Sequence, residues 1–331
     1  MTDRTTRPAH DLAGLRVVAV HAHPDDEAIW TGGLLAQLAR RGAAVDVVTC
    51  TLGELGEVIG EPYQGLVADA SDQLGGFRVH ELAASLAALG VNGPGHLPRH
   101  LGAPGRYRDS GMAGAPTNDD PRCFVRSGDA AVEDLVAELA RLRPHLVVTY
   151  DADGGYGHPD HVRAHDITVE ACARLRAVDD DALFRTLWAV TDRAALAAGL
   201  DAITRVPEGW TRAGVDDIAS GAGQVEIMLD DADLAAKVSA MGAHATQVWI
   251  ADGRVSAVNP IPARGAHDAS GRAAAVWALS NLLCQPVTPV EHYRWGTAEP
   301  SDLAAVLEGA GAPSSRTRRA DGDAAADGEG A

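Results

Sequence analysis

The feature that most constrains the fold is an alternation of strand-like and helix-like segments through the first half of the chain. The strand-like runs are short, apolar and rich in β-branched residues, as expected of buried strands: 15–20, 45–50 and 146–150. The helix-like segments carry apolar residues at helical spacing: 28–41, 78–89, 131–142 and 160–175. This alternation predicts an α/β fold with a Rossmann-like, mostly parallel sheet flanked by helices.

Beyond about residue 183 the pattern is less regular. There we predict strands at 186–190 and 224–229, and helices at 231–241 and 273–283. We expect this C-terminal part to pack on the same domain and to close one side of an active-site cleft. The predicted organisation is a disordered start (1–12), a Rossmann-like part (13–182), the C-terminal part (183–311) and a disordered tail (312–331).

Charge and cysteine content narrow the classes of function. The 331 residues include 46 acidic and 28 basic side chains, a net charge of −18, and the only lysine is Lys237. Nucleic acids and anionic membranes require a basic surface, so we expect neither as a partner. The four cysteines are far apart without a C-x-x-C pair, and no apolar run reaches the length of a membrane span. We expect a cytoplasmic protein with a small-molecule partner, and we leave homo-oligomerisation open.

A cluster of histidine and acidic residues directly follows the first predicted strand. It has the sequence HAHPDDE at 21–27 and runs into the first predicted helix. In open α/β sheets ligands bind at the carboxyl ends of the strands, and imidazole and carboxylate groups are common zinc ligands. Acidic residues also stabilise helix N-termini, so this cluster alone leaves a structural role for Asp25, Asp26 and Glu27 equally open.

A second His-Pro-Asp sequence follows the strand predicted at 146–150. It lies in YGHPDH at 156–161, again between a strand and a helix. Because the carboxyl ends of parallel strands meet at one edge of the sheet, the two clusters should converge on one crevice. Together they offer His23, Asp26 and His161 as three ligands with a fourth position open, which is the composition of a catalytic zinc site. Ferrous iron fits the same ligands.

The two clusters resemble the zinc-dependent N-acetylglucosaminyl deacetylases of the LmbE/PIG-L family. Further blocks of that resemblance follow in order over most of the chain: TCTLGELGEVIG (49–60), QLGGFRVHEL (73–82), GRYRDSGMAG (105–114), TYDADGGYGHPDH (149–161) and HATQV (244–248). Within the family the chain is most similar to members that remove acetate from N-acetylglucosaminyl-inositol in mycothiol biosynthesis. The resemblance implies a metal-dependent amidohydrolase with one zinc ion per subunit. The composition, rich in Ala, Gly and Arg, fits an actinobacterial source.

The resemblance also implies roles for individual residues. Its metal ligands are the three named above, His23, Asp26 and His161. Asp25 is implied as the catalytic base that takes a proton from water. His158 is implied as the proton donor to the leaving amine, with Asp160 holding its ring and raising its pKa, and Tyr156 is expected to stabilise the oxyanion. Four further positions match contacts to the substrate or the active site: Arg78, Asp109, Glu57 and Gln247.

Other functions are weighed against this one. The mycothiol S-conjugate amidase shares the metal site, but that sister family carries a lysine shortly after HPDDE where this chain has AIWT at 28–31. A deacetylase of another N-acetylglucosaminide remains an alternative. A sugar-binding protein with a dead site should have lost Asp25, Asp26 or His161, and all three are present. Neither a G-x-G-x-x-G after a strand nor a G-x-S-x-G occurs, which disfavours a nucleotide-binding oxidoreductase and a serine hydrolase. Leu55 departs from the family pattern, which often has an acid there.

Overall fold

The computed structural model of this chain describes residues 11–178 and 185–296. Its strands are β1 (Arg16–His21), β2 (Ala44–Thr49), β3 (Arg99–His100), β4 (Leu146–Tyr150), β5 (Arg185–Val190), β6 (Ile203–Arg205), β7 (Thr211–Arg212), β8 (Val225–Met228), β9 (Trp249–Ile250), β10 (Ala266–His267), β11 (Ala275–Ala278), β12 (Leu283–Val287) and β13 (Val290–Trp295). Its helices are α1 (Asp26–Ile29), α2 (Gly32–Arg40), α3 (Leu74–Leu89), α4 (Gly128–Leu142), the single irregular turn α5 (Gly154–Gly157), α6 (Pro159–Val178), α7 (Arg193–Ala202) and α8 (Asp231–Ala243).

A seven-stranded sheet in the order β3-β2-β1-β4-β5-β13-β8 forms the centre of the fold. β1 pairs in parallel with β2 on one side and with β4 on the other, and β4 continues in parallel to β5. Only β13 runs against its neighbours among the described strands of this sheet, pairing antiparallel with β5 and β8. The predicted α/β class with a mostly parallel central sheet is therefore confirmed.

The central strands are buried on both faces, which explains their continuous apolar sequences. Successive side chains of a strand point to opposite faces, so each strand contributes to two apolar layers. In β1, Val17 and Ala19 lie in the layer that contains residues of α2, α3 and α8. Val18 and Val20 lie in the layer on the other face, which contains residues of α4 and α6. The two layers cover both faces of the sheet, so polar loops lie at its carboxyl edge.

The second half of the chain extends the central sheet and adds a smaller one. β5, β13 and β8 complete the central sheet, whereas β7-β12-β11-β9 form a four-stranded sheet. The helix predicted at 273–283 is wrong, because this segment forms β11 and pairs antiparallel with β12 after a turn at Leu282, where φ is 54°. Its alanines favour a helix locally, but burial of Val276 and Trp277 in a paired strand overrides that preference.

Several predicted boundaries fall on residues that the structure does not describe, namely 1–10, 179–184 and 297–331. The predicted disordered tail lies entirely among them. Within the predicted disordered start, however, Leu12 is buried in the core and the Asp11 carboxylate accepts a hydrogen bond of 2.9 Å from Arg41. Within residues 11–178 and 185–296, no helix is both long and apolar enough to cross a lipid bilayer.

Candidate metal centre

The two His-Pro-Asp clusters meet at the carboxyl edge of the central sheet. β1 ends at His21 and β4 ends at Tyr150, and these two strands are direct neighbours. The loop after β1 enters α1, and the loop after β4 passes through α5 into α6. Gly155 is required in this second loop, since its φ is 72° and a Cβ there would collide with the Trp30 indole. The predicted convergence of the clusters is therefore seen in the structure.

Three donor atoms of the predicted ligands form a nearly equilateral triangle. His23 Nδ1 lies 3.3 Å from Asp26 Oδ2, and His161 Nε2 lies 3.3 Å from the same oxygen. The two imidazole nitrogens are also 3.3 Å apart. Tetrahedral zinc with metal–nitrogen distances of about 2.0–2.1 Å has edges of about 3.3–3.4 Å between its ligand atoms. The triangle thus has the size of one face of a zinc tetrahedron.

The remaining ring nitrogens of both histidines have hydrogen-bond acceptors. His23 Nε2 lies 3.2 Å from Asp160 Oδ2, and His161 Nδ1 lies 3.2 Å from the Gly154 carbonyl oxygen. These acceptors favour a proton on the outer nitrogen of each ring, which leaves the nitrogens of the triangle free to bind a cation. The donor chemistry and the hydrogen bonds behind it therefore both fit zinc.

Two other groups of donor atoms also lie within 4.8 Å of one another: His23, His158 and His161, and His23, Asp109 and Asp160. The second group surrounds His23 Nε2, with Asp109 Oδ1 at 3.6 Å and Asp160 Oδ2 at 3.2 Å. Asp160 is a hydrogen-bond partner of this outer nitrogen, Asp109 lies just beyond hydrogen-bond distance of it, and neither belongs to the triangle. We prefer the triangle with Asp26 because all three of its edges match the zinc geometry.

Asp25 lies beside the triangle in an unusual backbone conformation. Its φ of 113° and ψ of −31° are sterically unfavourable for any residue with a Cβ and cost about 1–3 kcal/mol. Its carboxylate Oδ2 lies 3.1 Å from Arg78 Nη2. Burial raises the pKa of Asp25 to about 6, although the positive charge of Arg78 acts in the opposite direction. A carboxyl group with such a pKa is suited to exchange protons near neutral pH.

His158 and Tyr156 lie beside the triangle and line the same cavity as Asp25. The His158 ring centroid is 4.6 Å from that of His23 and 5.0 Å from that of His161. Burial lowers the pKa of His158 to about 3. The pKa of Tyr156 is raised by burial of its hydroxyl end and by the charge of Asp26, although 46% of the whole residue is exposed. The Tyr156 hydroxyl therefore stays protonated and able to donate.

The prediction that the Asp160 carboxylate holds His158 is wrong. Its Oδ2 bonds to His23 Nε2 and accepts the Ser110 backbone N–H at 2.9 Å. His158 Nδ1 instead accepts the backbone N–H of Asp160 at 3.2 Å. Without that contact nothing offsets burial, which lowers the pKa of His158 instead of raising it. Sequence spacing could not reveal this, because His158 and Asp160 are separated by one residue whereas His23 comes from another strand.

The predicted substrate residues line one cavity of about 540 Å³ together with Asp25 and His158. Of the site residues predicted from the sequence, the following line this cavity without belonging to the triangle: Asp25, Glu57, Arg78, Asp109, Tyr156, His158 and Gln247. Residues of the second half, including Asp192 and Asn281, line the same cavity, so both halves of the chain enclose it. Arg78 is 3% exposed and donates to the Gly53 and Pro24 carbonyl oxygens as well as pairing with Asp25. Arg78 therefore supports the Asp25 carboxylate in addition to lining the cavity.

The sequence interpretation missed Tyr150, the last residue of β4. Its hydroxyl donates to Asp26 Oδ2 at 2.6 Å and accepts the Ala22 N–H at 2.8 Å. Its ring stacks on His161 with centroids 4.3 Å apart. It thus contacts two proposed metal ligands from different clusters. The available signal was a polar aromatic residue at the carboxyl end of a buried strand, six positions before the start of the second cluster.

Three further histidines and the four cysteines have structural surroundings. His165 Nδ1 lies 2.9 Å from the Tyr150 carbonyl oxygen, and His21 Nε2 lies 2.9 Å from Thr31 Oγ1. His244 is fully buried and bonds to Glu27 rather than facing the cavity. The four cysteines are free and buried, as expected of small apolar core residues: Cys50, Cys123, Cys172 and Cys284.

Comparison with known proteins extends these findings. A family model described as "PIG-L: GlcNAc-PI de-N-acetylase" matches residues 18–172. A Corynebacterium efficiens protein named 1D-myo-inositol 2-acetamido-2-deoxy-alpha-D-glucopyranoside deacetylase is 57% identical over 303 residues, covering 91% of this chain and 94% of its own length. A Mycolicibacterium smegmatis protein of the same name is 46% identical over 282 residues, covering 84% and 89% respectively. Among solved structures, N,N'-diacetylchitobiose deacetylase from Pyrococcus horikoshii gives a TM-score of 0.45 at 20% identity, with 70% of each chain covered.

These relatives define the class of protein as a hydrolytic N-deacetylase. More particularly, the chain belongs to the PIG-L family. The family and the enzyme class predicted from the two His-Pro-Asp clusters are therefore confirmed.

Proposed function

We propose that this chain is a zinc-dependent deacetylase that hydrolyses N-acetylglucosaminyl-inositol to glucosaminyl-inositol and acetate in mycothiol biosynthesis. The observation that carries the chemistry is the triangle of His23, Asp26 and His161 donor atoms beside the Asp25 carboxylate. The substrate is supported by the name of the relatives, which are 57% and 46% identical to this chain over most of its length.

His23, Asp26 and His161 would hold the metal ion. Bound zinc supplies positive charge that polarises the acetamide carbonyl and lowers the pKa of water toward neutrality. Two neutral imidazoles and one carboxylate would leave the site with a net positive charge, which suits attack on a neutral amide. Ferrous iron is compatible with the same donors. Loading metal-free protein with either zinc or ferrous iron and comparing turnover shows which metal is more active.

Asp25 takes the proton of the attacking water in the first step. It lines the cavity without belonging to the triangle, and its raised pKa lets it accept a proton without becoming a strong acid. Water oxygen then forms a bond to the acetamide carbon. The Tyr156 hydroxyl donates a hydrogen bond to the oxygen that becomes negative.

The amine must receive a proton as the carbon–nitrogen bond breaks. Two residues at the cavity can supply it: His158, as the resemblance implies, and Asp25, which has just accepted one from water. With a pKa near 3, His158 is neutral at rest and gains a proton only as negative charge develops beside it. We assign Asp25 as the group that passes the proton taken from water to His158, and His158 as the donor that delivers it to the amine nitrogen as the carbon–nitrogen bond breaks.

Arg78, Asp109, Glu57 and Gln247 are proposed to bind the hydroxyl groups of the small-molecule substrate. Asp109 has the geometry for this role, since its Oδ1 accepts the Gly111 N–H at 2.8 Å and its Oδ2 accepts the Leu55 N–H at 3.2 Å. These bonds fix a carboxylate at the cavity wall where it can accept from a polyol. Charged acceptors of this kind give the stronger hydrogen bonds that a sugar requires.

An amine-release assay tests the proposal with three substrates: N-acetylglucosaminyl-inositol, N-acetylglucosamine and a mycothiol S-conjugate. We expect the inositol substrate to react fastest, a chelator to abolish release, and zinc or ferrous iron to restore it. No release from any substrate by metal-loaded protein would overturn the deacetylase reaction. Fastest release from the S-conjugate would instead overturn the substrate and favour the amidase.

A further inference from the structure

The backbone of Asp25 stands apart from the other strained positions of the described chain. Five other non-glycine residues with positive φ lie between 48° and 62°, within the ordinary left-handed helical region. Asp25 lies at 113°, well beyond that region. A residue keeps such a conformation only where its surroundings hold it there. The conformation sets the direction in which the Asp25 side chain leaves the loop.

Glu27 holds the backbone at this point. Its Oε2 accepts the Asp25 N–H at 3.0 Å, while its Oε1 accepts the Ser85 hydroxyl at 2.5 Å and His244 Nε2 at 2.7 Å. All three side chains that meet here, from Glu27, Ser85 and His244, are fully buried. Ser85 belongs to α3 and His244 follows the last residue of α8. One carboxylate therefore ties the loop after β1 to two helices that pack on it.

The simpler explanation is that Glu27 stabilises the N-terminus of α1. That helix has four residues, and the amide that Glu27 accepts belongs to Asp25, which precedes the helix. A carboxylate that only complements a helix end needs no buried histidine and serine on its other oxygen. The second and third donors come from distant parts of the sequence and fix the carboxylate itself. The arrangement is therefore built around the Asp25 amide.

The side chain of Asp25 is held separately. Arg78, also from α3, lies 3.1 Å from Asp25 Oδ2 and donates to the Gly53 carbonyl oxygen at 2.7 Å. Arg78 thus fixes the carboxylate, and Glu27 fixes the peptide from which it projects. Both contacts depend on α3, which supplies Arg78 to the carboxylate and Ser85 to Glu27.

We propose that Glu27, fixed by Ser85 and His244, is a positioning residue that keeps Asp25 in its strained conformation and directs its carboxylate toward the reacting water. This inference rests on the proposed role of Asp25 as the base. It assigns a function to the last acid of HPDDE that is distinct from both metal binding and proton transfer. A displaced base loses rate because proton transfer depends steeply on geometry.

The test compares Glu27→Ala and Glu27→Gln, each with the wild-type Asp25 and with Asp25→Ala. Glutamine keeps an oxygen for the Asp25 amide but turns an NH2 group toward Ser85 and His244, so its kcat should lie between those of the wild type and Glu27→Ala. Glu27→Ala should lower kcat about tenfold to a hundredfold, with KM and zinc content unchanged. In the Asp25→Ala background, Glu27→Ala should cause no further loss, because it acts through Asp25. Ser85→Ala is a milder variant should Glu27→Ala fail to fold, and it should lower kcat in the same direction.

A readout independent of turnover is hydrogen exchange of the Asp25 amide, measured on a peptide that contains it. Glu27→Ala should speed exchange at this amide, in both metal-free and zinc-loaded protein. The matched control is Asp233→Asn, which alters another fully buried carboxylate that is hydrogen-bonded to Arg40 and Gln37, away from the cavity. It should change neither kcat nor exchange at Asp25.

The outcomes separate the two proposals. If wild-type protein is active and Asp25→Ala is not, but Glu27→Ala keeps full kcat or lowers it equally in both backgrounds, the positioning role is overturned. Loss of zinc in Glu27→Ala would also overturn it, since Glu27 would then support the metal. If Asp25→Ala is as active as wild type, the proposed function of Asp25 fails instead.

Discussion

The two His-Pro-Asp sequences of this chain are identical in composition and differ in what surrounds them. In the first, His23 faces the donor triangle and Asp25 faces the cavity beside Arg78. In the second, His158 faces the cavity and Asp160 is fully buried against His23. The histidine of the first tripeptide thus supplies a donor atom of the triangle, whereas the histidine of the second lies beside the triangle and its aspartate supports His23 from behind. A shared tripeptide predicts where the site lies, but not which of its side chains does what.

The residue after each tripeptide behaves the same way in both clusters. Asp26 and His161 each follow a His-Pro-Asp sequence, and each contributes one corner of the triangle. Each also lies at the start of a helix, α1 or α6, where the chain leaves the carboxyl edge of the sheet. The two clusters are therefore equivalent at the fourth residue, meaning the residue that follows each tripeptide: Asp26 in the first and His161 in the second. Matched substitutions in the two clusters test this comparison.

The largest effect is expected at the fourth residues. Asp26→Ala and His161→Ala should each remove zinc and abolish turnover, because either change takes away one of only three proposed protein ligands. Zinc per chain, measured by elemental analysis after dialysis, should fall to the background level in both variants. Retention of zinc by one of them would remove that residue from the ligand set.

The next largest effect is expected for Asp25→Ala. Loss of a general base should lower kcat by about 10²–10⁴-fold, while zinc remains bound because Asp25 is not a corner of the triangle. Steady-state kinetics and zinc analysis on the same preparation check both parts. Equal loss of zinc and activity would show that Asp25 is a ligand.

His158→Gln should come next, with kcat lower by about 10²-fold and zinc retained. The variant keeps a polar side chain in the cavity but removes the imidazole. The variant also tests which donor atoms hold the metal, the triangle with Asp26 or the three histidines, because the donor atom of His158 lies within 4.8 Å of those of His23 and His161. If His158→Gln loses zinc as His161→Ala does, the metal is bound by three histidines and Asp26 becomes their neighbour.

Asp160→Asn should have a smaller effect of a different kind. Its carboxylate orients His23, and removal of such an outer partner typically weakens metal binding or activity by about 10–100-fold. A competition titration with a chromophoric chelator measures the zinc affinity. A fall in kcat with unchanged zinc affinity would mean that Asp160 acts on His158 in solution, as the sequence suggested.

The sequence predicted the parts of the structure that depend on local pattern. The strands of the first half are continuous apolar runs because they are buried on both faces, and their carboxyl ends place the two clusters together. The segment around Val276 was misjudged because its strand character depends on pairing with β12. The contact between His23 and Asp160 spans 137 positions, and that between Glu27 and His244 spans 217. Such contacts follow from packing of the whole domain, which local periodicity does not encode.

The smallest effect on catalysis is expected for Tyr150→Phe, which removes one hydroxyl that bonds to Asp26 and keeps the ring stacked on His161. A hydrogen bond to a buried charged group contributes about 1.5–3 kcal/mol, so the metal-free protein should unfold more easily by that amount. Zinc affinity should weaken by at most about tenfold, the lower limit for outer partners of a metal site. Denaturant unfolding and chelator competition measure the two effects.

Tyr293→Phe is the matched control, since Tyr293 is equally buried and donates to Glu291 at 2.7 Å. It should lower stability similarly without changing zinc affinity, and an equal loss of affinity in both variants would show that Tyr150 acts only through general stability.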